Sequence, residues 1–229
     1  MDRIAKKNLL NEFELFQSLN EREIEQLVNH MEVCRKGRYA SIYEQGDAST
    51  HIYLLNKGTV KIGIHNGEGK EVIKRLIHPK AVFGELGLVG ETTRTESAYA
   101  LKEEVELYTI KVEEFRRIMM SNVEVCHRVL QLFGQRLIKA ETRLENLIFK
   151  DARSRIITFL HSVVEERGRP VGLERLLKHS MTHQDIANIT CTSRQTVTLV
   201  LNELRKDNLI YFNRGRILVR DMDQLAACA

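Results

Sequence analysis

The stretch that most restricts the fold of this chain is MTHQDIANITCTSRQTVTLVLNELRK, residues 181–206. Its apolar residues fall into two helical rhythms separated by a short polar break. Thr182, followed three residues later by Asp185, has the spacing of a capping box, and Ile186, Ala187 and Ile189 supply the apolar side of a first short helix. The chain turns at Cys191-Thr192. A second helix opens near Ser193 and sets Val197, Val200, Leu201 and Leu204 in an i, i+3, i+4, i+7 stripe. With that stripe inward, Arg194, Gln195, Thr198, Asn202 and Arg205 occupy the open side. Arginine can fork onto guanine O6 and N7, and glutamine can pair bidentately with adenine N6 and N7. Hydroxyls and free N–H groups at a helix start suit phosphate oxygens, so Thr182, His183, Ser193 and Thr196 are candidate backbone contacts. The pattern fits a helix-turn-helix whose second helix reads duplex DNA, and an ordinary helical hairpin with a solvated polar face fits the same residues. Thr192 and Gln195 also satisfy the capping spacing, so Gln195 is either a base reader or turned back on its own backbone.

The flanks extend this unit. Asp151 can cap a helix that buries Ile156, Leu160, Val163 and Val164 and stops at Gly168 and Pro170. After the second helix, residues 209–212 and 216–220 read as two strands around Asn213-Arg214-Gly215, a hairpin that makes a wing. Arg214 and Arg216 on it are candidate contacts to the phosphate backbone.

Residues 112–150 hold the longest helical pattern. Val123, Cys126, Leu130, Phe133, Leu137, Ala140, Leu144 and Leu147 alternate by three and four, a 3.5-residue repeat that marks a helix pairing with its own copy. Packing on the same subunit competes for part of this stripe. The expected homodimer interface therefore comprises Cys126, Leu130, Phe133, Leu137, Ala140, Leu144 and Leu147. A two-fold dimer also places two reading helices about one DNA turn (~34 Å) apart.

The N-terminal half has a different rhythm. Residues 8–33 carry Leu10, Phe13, Leu15, Phe16, Ile24, Leu27, Val28 and Met31 at helical spacing, with a cap around residues 20–23. From 37 to 110, short β-branched and aromatic segments alternate with glycine-bearing turns, which predicts a small antiparallel barrel or sandwich. Within it, residues 81–100 place a polar insert between two strand-like ends. Gly84 lets backbone approach a ligand, Glu85 can accept from a sugar hydroxyl, and Arg94 can meet a phosphate. A glycine-rich corner with a charged loop explains the same residues without a ligand.

Composition excludes several classes. The net charge of +4 is mild, although the 12 basic and 9 acidic residues after position 150 leave the C-terminal part the more basic. Cysteines at 34, 126, 191 and 228 have neither CxxC nor zinc-finger spacing, so no metal site or disulfide framework is expected. Apolar runs are too short for a membrane span and the N-terminus has no signal-peptide core, so the expected location is the cytoplasm. Gly84, Gly87 and Gly90 do not make a phosphate loop, and no nucleophile–base pair is evident, so the chain is not read as an enzyme.

Barrel, long helix and winged helix-turn-helix in this order resemble the Crp/Fnr superfamily of bacterial transcription regulators. The resemblance rests on residues 83–88 (FGELGL), 136–137 with 146–149, 182–187 and 193–197. It implies an α+β fold in three parts. These are a cyclic-nucleotide-binding-like jelly-roll sensor (1–120), a dimerisation helix with its hinge (121–150) and a winged domain (151–229). It further implies a homodimer on a two-fold operator, base reading by Arg194 and Gln195, and contact with RNA polymerase. The candidate effector residues become Gly84, Glu85, Leu86, Arg94, Thr95, Glu96 and Glu141. Several residues depart from the cyclic-AMP-binding members. Glu96 stands where they carry an arginine, and Ala140 and Glu141 replace a Thr-Ser pair, which disfavours a cyclic nucleotide as effector. The lone Cys34 near the N-terminus does not provide the cysteine cluster of the iron–sulfur branch, so no such cluster is expected. Leu199 occupies a position where many members carry arginine, and Cys191 one where glycine is usual. The alternative reading is a cyclic-nucleotide-binding signalling module without a transcriptional role.

Overall fold

The structure, a computed structural model, describes residues 3–229. The chain divides into two compact units: residues up to 68 with 74–138, and residues 69–73 with 139–229.

The first unit contains strands β1 (Glu32–Lys36), β2 (Ser41–Tyr43), β3 (His51–Lys57), β4 (Val60–His65), β5 (Glu71–Ile77), β6 (Val82–Phe83), β7 (Ser97–Ala100) and β8 (Val105–Lys111), with β5 crossing the division. They form two four-stranded sheets in the orders β1-β8-β3-β6 and β2-β7-β4-β5. The alternation of side chains along each strand explains how one sheet serves two cores. On β3 and β8, Leu55, Val105 and Leu107 join Val60, Ile62, Phe83 and Ala98 between the sheets. Ile52, Leu54, Tyr108 and Ile110 point the other way, into a second cluster built with helices. Those helices are α1 (Arg3–Asn11), α2 (Glu21–His30), α3 (Val112–Ser121) and the first turns of α4 (Val123–Phe149). The expected cap of α2 is present: Asn20 Oδ1 accepts from Glu23 N at 3.0 Å and Glu23 Oε2 accepts from Asn20 N at 2.9 Å. The strand pattern predicted an antiparallel barrel or sandwich, and the two sheets fit the jelly-roll that the family resemblance implies.

The second unit is a winged helix-turn-helix. It holds α5 (Ala152–Arg167), β9 (Arg169–Val171), β10 (Glu174–Lys178), α6 (His183–Thr190), α7 (Arg194–Lys206), β11 (Ile210–Asn213), β12 (Arg216–Val219) and α8 (Met222–Ala227). Asp151 caps α5, its carboxylate accepting from Ser154 N at 2.7 Å. Ile156, Leu160 and Val164 from α5 are buried with Ile186, Ala187, Val197, Val200, Leu201 and Leu204. The four strands lie in the order β11-β12-β10-β9. The β9–β10 hairpin is an addition to the sequence reading, which stopped at Gly168 and Pro170 as helix breakers. Pro170 sits within β9, a three-residue strand at the sheet edge, where the missing N–H leaves the ladder intact on its paired side.

Three local devices fix the start of α7. Thr182 and Asp185 form the capping box at the start of α6, with Asp185 Oδ2 accepting from Thr182 N at 2.6 Å. Cys191 closes α6 in the left-handed region, φ 52°, and the N–H of Thr192 donates to the Ala187 carbonyl at 3.0 Å. Arg155 then gathers the turn, donating to the carbonyls of Lys150, Thr190 and Cys191 at 2.7, 3.0 and 3.1 Å. A side chain with a Cβ at a left-handed position costs about 1–2 kcal/mol, and a β-branched one more. Cys191→Gly should therefore stabilise the second unit by up to about 1 kcal/mol, glycine's own entropy offsetting part of the relief, and Cys191→Val should destabilise it by about 1–2 kcal/mol. Urea unfolding at fixed protein concentration measures both, and equal midpoints for the two variants would contradict the account.

Candidate nucleic-acid interface and effector site

α7 begins as its sequence requires. Ser193 is the N-cap, its hydroxyl accepting from Thr196 N at 3.0 Å and lying 2.8 Å from Thr196 Oγ1. This choice of cap resolves the alternative at Thr192: Gln195 stands outside the cap and is exposed. Val197, Val200, Leu201 and Leu204 are at most 2% exposed. Burying that side leaves Arg194, Gln195 and Leu199 in solvent, with Thr198 and Asn202 partly covered. The Thr198 hydroxyl donates to the Arg194 carbonyl at 3.0 Å. With its single proton used there, Thr198 Oγ1 receives the Nδ1–H of His183, 2.9 Å away, which ties the start of α6 to the middle of α7. Burial, and next the charge of Arg194, hold the His183 imidazole below its usual pKa, so it is neutral near pH 7. His183 also meets the Phe212 ring edge-on at 6.0 Å between centroids, and the Arg205 guanidinium lies 5.2 Å over the same ring.

Six residues, Ser193, Arg194, Gln195, Thr198, Leu199 and Asn202, line one open depression along this side of α7. Thr182 is exposed at the α6 start, and on the wing Arg214 and Arg216 are exposed on either side of Gly215, φ 80°. The structure thus brings the reading-helix candidates together on one face of α7, and sets the two wing arginines at the tip of the β11–β12 hairpin.

The other candidate site lies in the first unit around the turn after β6. Gly84 has φ 71°, and a Cβ there would come within 2.9 Å of the Tyr53 ring, so glycine is required by both conformation and space. Arg94 lies against the same glycine, its Nη1 3.2 Å from that Cβ position. It is 3% exposed, donates to the Gly84 carbonyl at 2.8 Å and to the His51 carbonyl, and lies 3.5 Å from Glu91 Oε2. Its guanidinium also stands 4.4 Å over Tyr43 and 5.7 Å over Tyr53, in a cluster where Tyr53 stacks on Phe83 at 5.1 Å. Both terminal nitrogens of this arginine are bonded to backbone carbonyls, while its Nε is buried without a hydrogen-bond partner.

Glu85 and Glu96 are 1% and 5% exposed, and both are paired. Arg75 on β5 bonds to Glu96 and lies 3.5 Å from Glu85; Lys74 lies 3.4 Å from Glu96; and Arg136 on α4 contacts Glu85 directly. Arg136 donates in addition to the Val82 carbonyl at 2.7 Å. Burial, and next the Arg75 charge, hold the Arg136 guanidinium below its usual pKa, at about 9, with Tyr43 acting in the opposite direction. Burial, and next the Glu96 charge, push the nearby Tyr43 phenol well above its usual pKa. Leu86 is half-buried, while Thr95 and, on α4, Glu141 are exposed. Thr95 Oγ1 donates to Glu91 at 2.8 Å.

Arg75 and Arg136 were not singled out from the sequence. The signal for Arg136 was present: Val125, Val129, Phe133 and Arg136 share one stripe of α4, of which the first two are buried and Phe133 packs on the barrel's helical core. A charge on such a stripe requires a buried acid opposite it. Of the expected dimer positions, Cys126 and Phe133 are partly buried in the same subunit, whereas Leu130, Leu137, Ala140, Leu144 and Leu147 are exposed.

Comparison with known proteins agrees with this geometry. Residues 35–122 match the cyclic nucleotide-binding domain family and residues 154–228 the Crp-like helix-turn-helix domain family. The chain is 28% identical to the global nitrogen regulator of Synechococcus elongatus over 92% of its length and 95% of the relative's. It is 28% identical to the cyclic AMP receptor protein of Thermus thermophilus, covering 90% and 92%. Among solved structures, FixK2 from Bradyrhizobium japonicum shares the fold with a TM-score of 0.78 at 20% identity, over 86% of this chain and 96% of that one. TTHA1359 from Thermus thermophilus, a regulator of the CRP/FNR family, superposes with a TM-score of 0.68 at 25% identity, over 86% and 98%. With both domain families matched in order and relatives aligned nearly end to end, the chain belongs to the Crp/Fnr family of bacterial transcription regulators.

Proposed function

We propose that this protein is a cytoplasmic homodimer that binds a two-fold operator in a sequence-dependent manner and contacts RNA polymerase there. The observation that carries the reading is the exposed side of α7, where Arg194 and Gln195 project beside a capped helix start. Arg194 and Gln195 read bases, Thr182, His183, Ser193, Thr196 and Thr198 support or contact the strand, and Arg214 and Arg216 hold the phosphate backbone. Pairing runs through the solvent-facing apolar residues of α4. Leu130, Leu137 and Leu144 are about 60% exposed, and a helix that leaves a leucine bare every two turns gains by burying it against a copy. In this reading residues 1–120 form the sensor, 121–150 the dimerisation helix with its hinge and 151–229 the reading domain.

The sensor differs from a cyclic-nucleotide site in its charges. A cyclic phosphate at Glu96 would have to displace Arg75 and Lys74 and then face a bare buried carboxylate. Arg94 is committed to two carbonyls and two rings and is not free to replace the missing arginine. The Glu85–Arg136 pair already joins the turn after β6 to α4, a link that a ligand would otherwise have to make. The effector, where one acts, is therefore not cyclic AMP.

Two measurements test this. Arg194→Ala should flatten sequence preference among selected duplexes, whereas Arg216→Ala should weaken all duplexes alike and reduce the slope of log affinity against log salt by about 1. Identical behaviour of the two variants would refute the division of roles, and sedimentation as a monomer at all concentrations would refute the dimer. For the sensor, Arg136→Ala strands a buried carboxylate and should cost about 3–5 kcal/mol, while Arg136→Met with Glu85→Leu should recover most of that loss. If the single variant unfolds at the wild-type urea concentration, the pair does not hold the barrel turn to α4.

A further inference from the structure

Leu199 is 60% exposed in the centre of the α7 depression, with Gln195 one turn before it and Asn202 about one turn after it. Two of the polar groups beside it, Thr198 Oγ1 and Asn202 Oδ1, are already bonded within the protein. The Thr198 hydroxyl is bonded to the Arg194 carbonyl and His183, and Asn202 Oδ1 accepts from Arg205 Nη2 at 3.0 Å. The face therefore presents a large apolar side chain where hydrogen-bonding readers would be expected, and no other residue of α7 covers it. In the DNA major groove one base edge offers apolar surface: the C5-methyl of thymine. Cytosine, adenine and guanine present only donors, acceptors or hydrogen there.

We propose that Leu199 is a specificity-determining residue that reads a thymine methyl in each operator half-site. The inference rests on the DNA-reading role of α7 and adds the base class read at one step. Leu199 lies four residues beyond Gln195, about 6 Å along the helix axis. That corresponds to about two base-pair steps at 3.4 Å each, so Gln195 and Leu199 address different pairs. A leucine packed on the methyl sheds water from both surfaces. Against a cytosine amino group the same side chain would remove a donor's water without supplying an acceptor. The preference thus has an attractive part for thymine and a repulsive part against cytosine.

The test uses full-length protein and duplexes enriched from a random pool. Each thymine of the enriched operator is replaced singly by deoxyuridine, which removes the methyl and leaves the hydrogen-bonding edge unchanged. At one step per half-site, wild-type binding should weaken about three- to fivefold per methyl lost. Leu199→Ala should bind thymine and deoxyuridine equally at that step while keeping its preference at the others. Leu199→Arg should move the preference at that step towards guanine. The proposal is overturned if wild type and Leu199→Ala give the same deoxyuridine profile, if the enriched operators carry no fixed thymine, or if Leu199→Ala loses affinity for all sequences alike. If no duplex is enriched at all, the DNA-reading role itself falls, an outcome distinct from an unchanged profile on a well-defined operator.

Discussion

The reading side of this protein exists because the opposite side of α7 is fully used. Four apolar residues at 197, 200, 201 and 204 are buried to within 2% of completely, and together they leave the helix no rotational freedom about its axis. A rotation of one residue, about 100°, would drag Thr198 into the core and expel Val197. The axial position is set separately. Ser193 caps the helix, Cys191 turns the chain in a left-handed conformation, and Arg155 binds the Thr190 and Cys191 carbonyls at that turn and the Lys150 carbonyl ahead of α5. Packing fixes which residues face outward, and the turn fixes where along the groove they would stand. The hydrogen bond from His183 Nδ1 to Thr198 links the two helices across that turn.

The barrel solves a different problem, that of holding two carboxylates in a place with almost no solvent. Glu85 and Glu96 are tolerable only because Arg75, Lys74 and Arg136 reach them from β5 and α4. Such a network contributes little net stability compared with an apolar core, but the loss of one member is costly. It is therefore suited to specifying an arrangement: the turn after β6 has one position relative to α4 in which every charge is paired. A ligand that shifts this arrangement must interact better with some other pairing of the same groups, since an equilibrium moves only by the difference in affinity for its two states.

Much of the fold was legible in the residues. The strand segments after residue 37, the Asn20–Glu23 and Thr182–Asp185 caps, the Asp151 start of α5 and the wing hairpin follow from local spacing, which hydrogen-bonded caps and alternating strands obey, whereas β1 begins at Glu32 inside the stretch read as helical. The β9–β10 hairpin was not legible. Pro170 normally argues against a strand, and only its edge position, a fact of sheet order, makes it compatible. The candidate effector residues show the same division. Gly84, Glu85 and Glu96 stood out by type, but Arg75 and Arg136 enter from distant segments, and ion pairs between residues 10 to 51 apart in sequence leave no periodic trace. Arg94 looked like a ligand for phosphate because a free arginine in a glycine-bearing loop can be one. The two tyrosines against which it packs lie 41 and 51 residues upstream.

α4 shows why a sound periodicity can still blend two functions. Read as one 3.5-residue repeat, positions 123 to 147 make a single seam. In the structure the helix carries two apolar stripes. Val125, Val129 and Phe133 pack on the barrel and continue, one turn on, into Arg136 and its buried acid. Leu130, Leu137 and Leu144 recur every seven residues on the solvent side. Phe133 belongs to the repeat by spacing and to the barrel by contact, because stripes four residues and seven residues in period must cross on a 3.6-residue helix. The consequence is mechanical. Any change in how Arg136 is held bears on the stretch of helix whose other side carries Leu130 and Leu137, so within the first unit the charge network and these bare leucines are two surfaces of one helix.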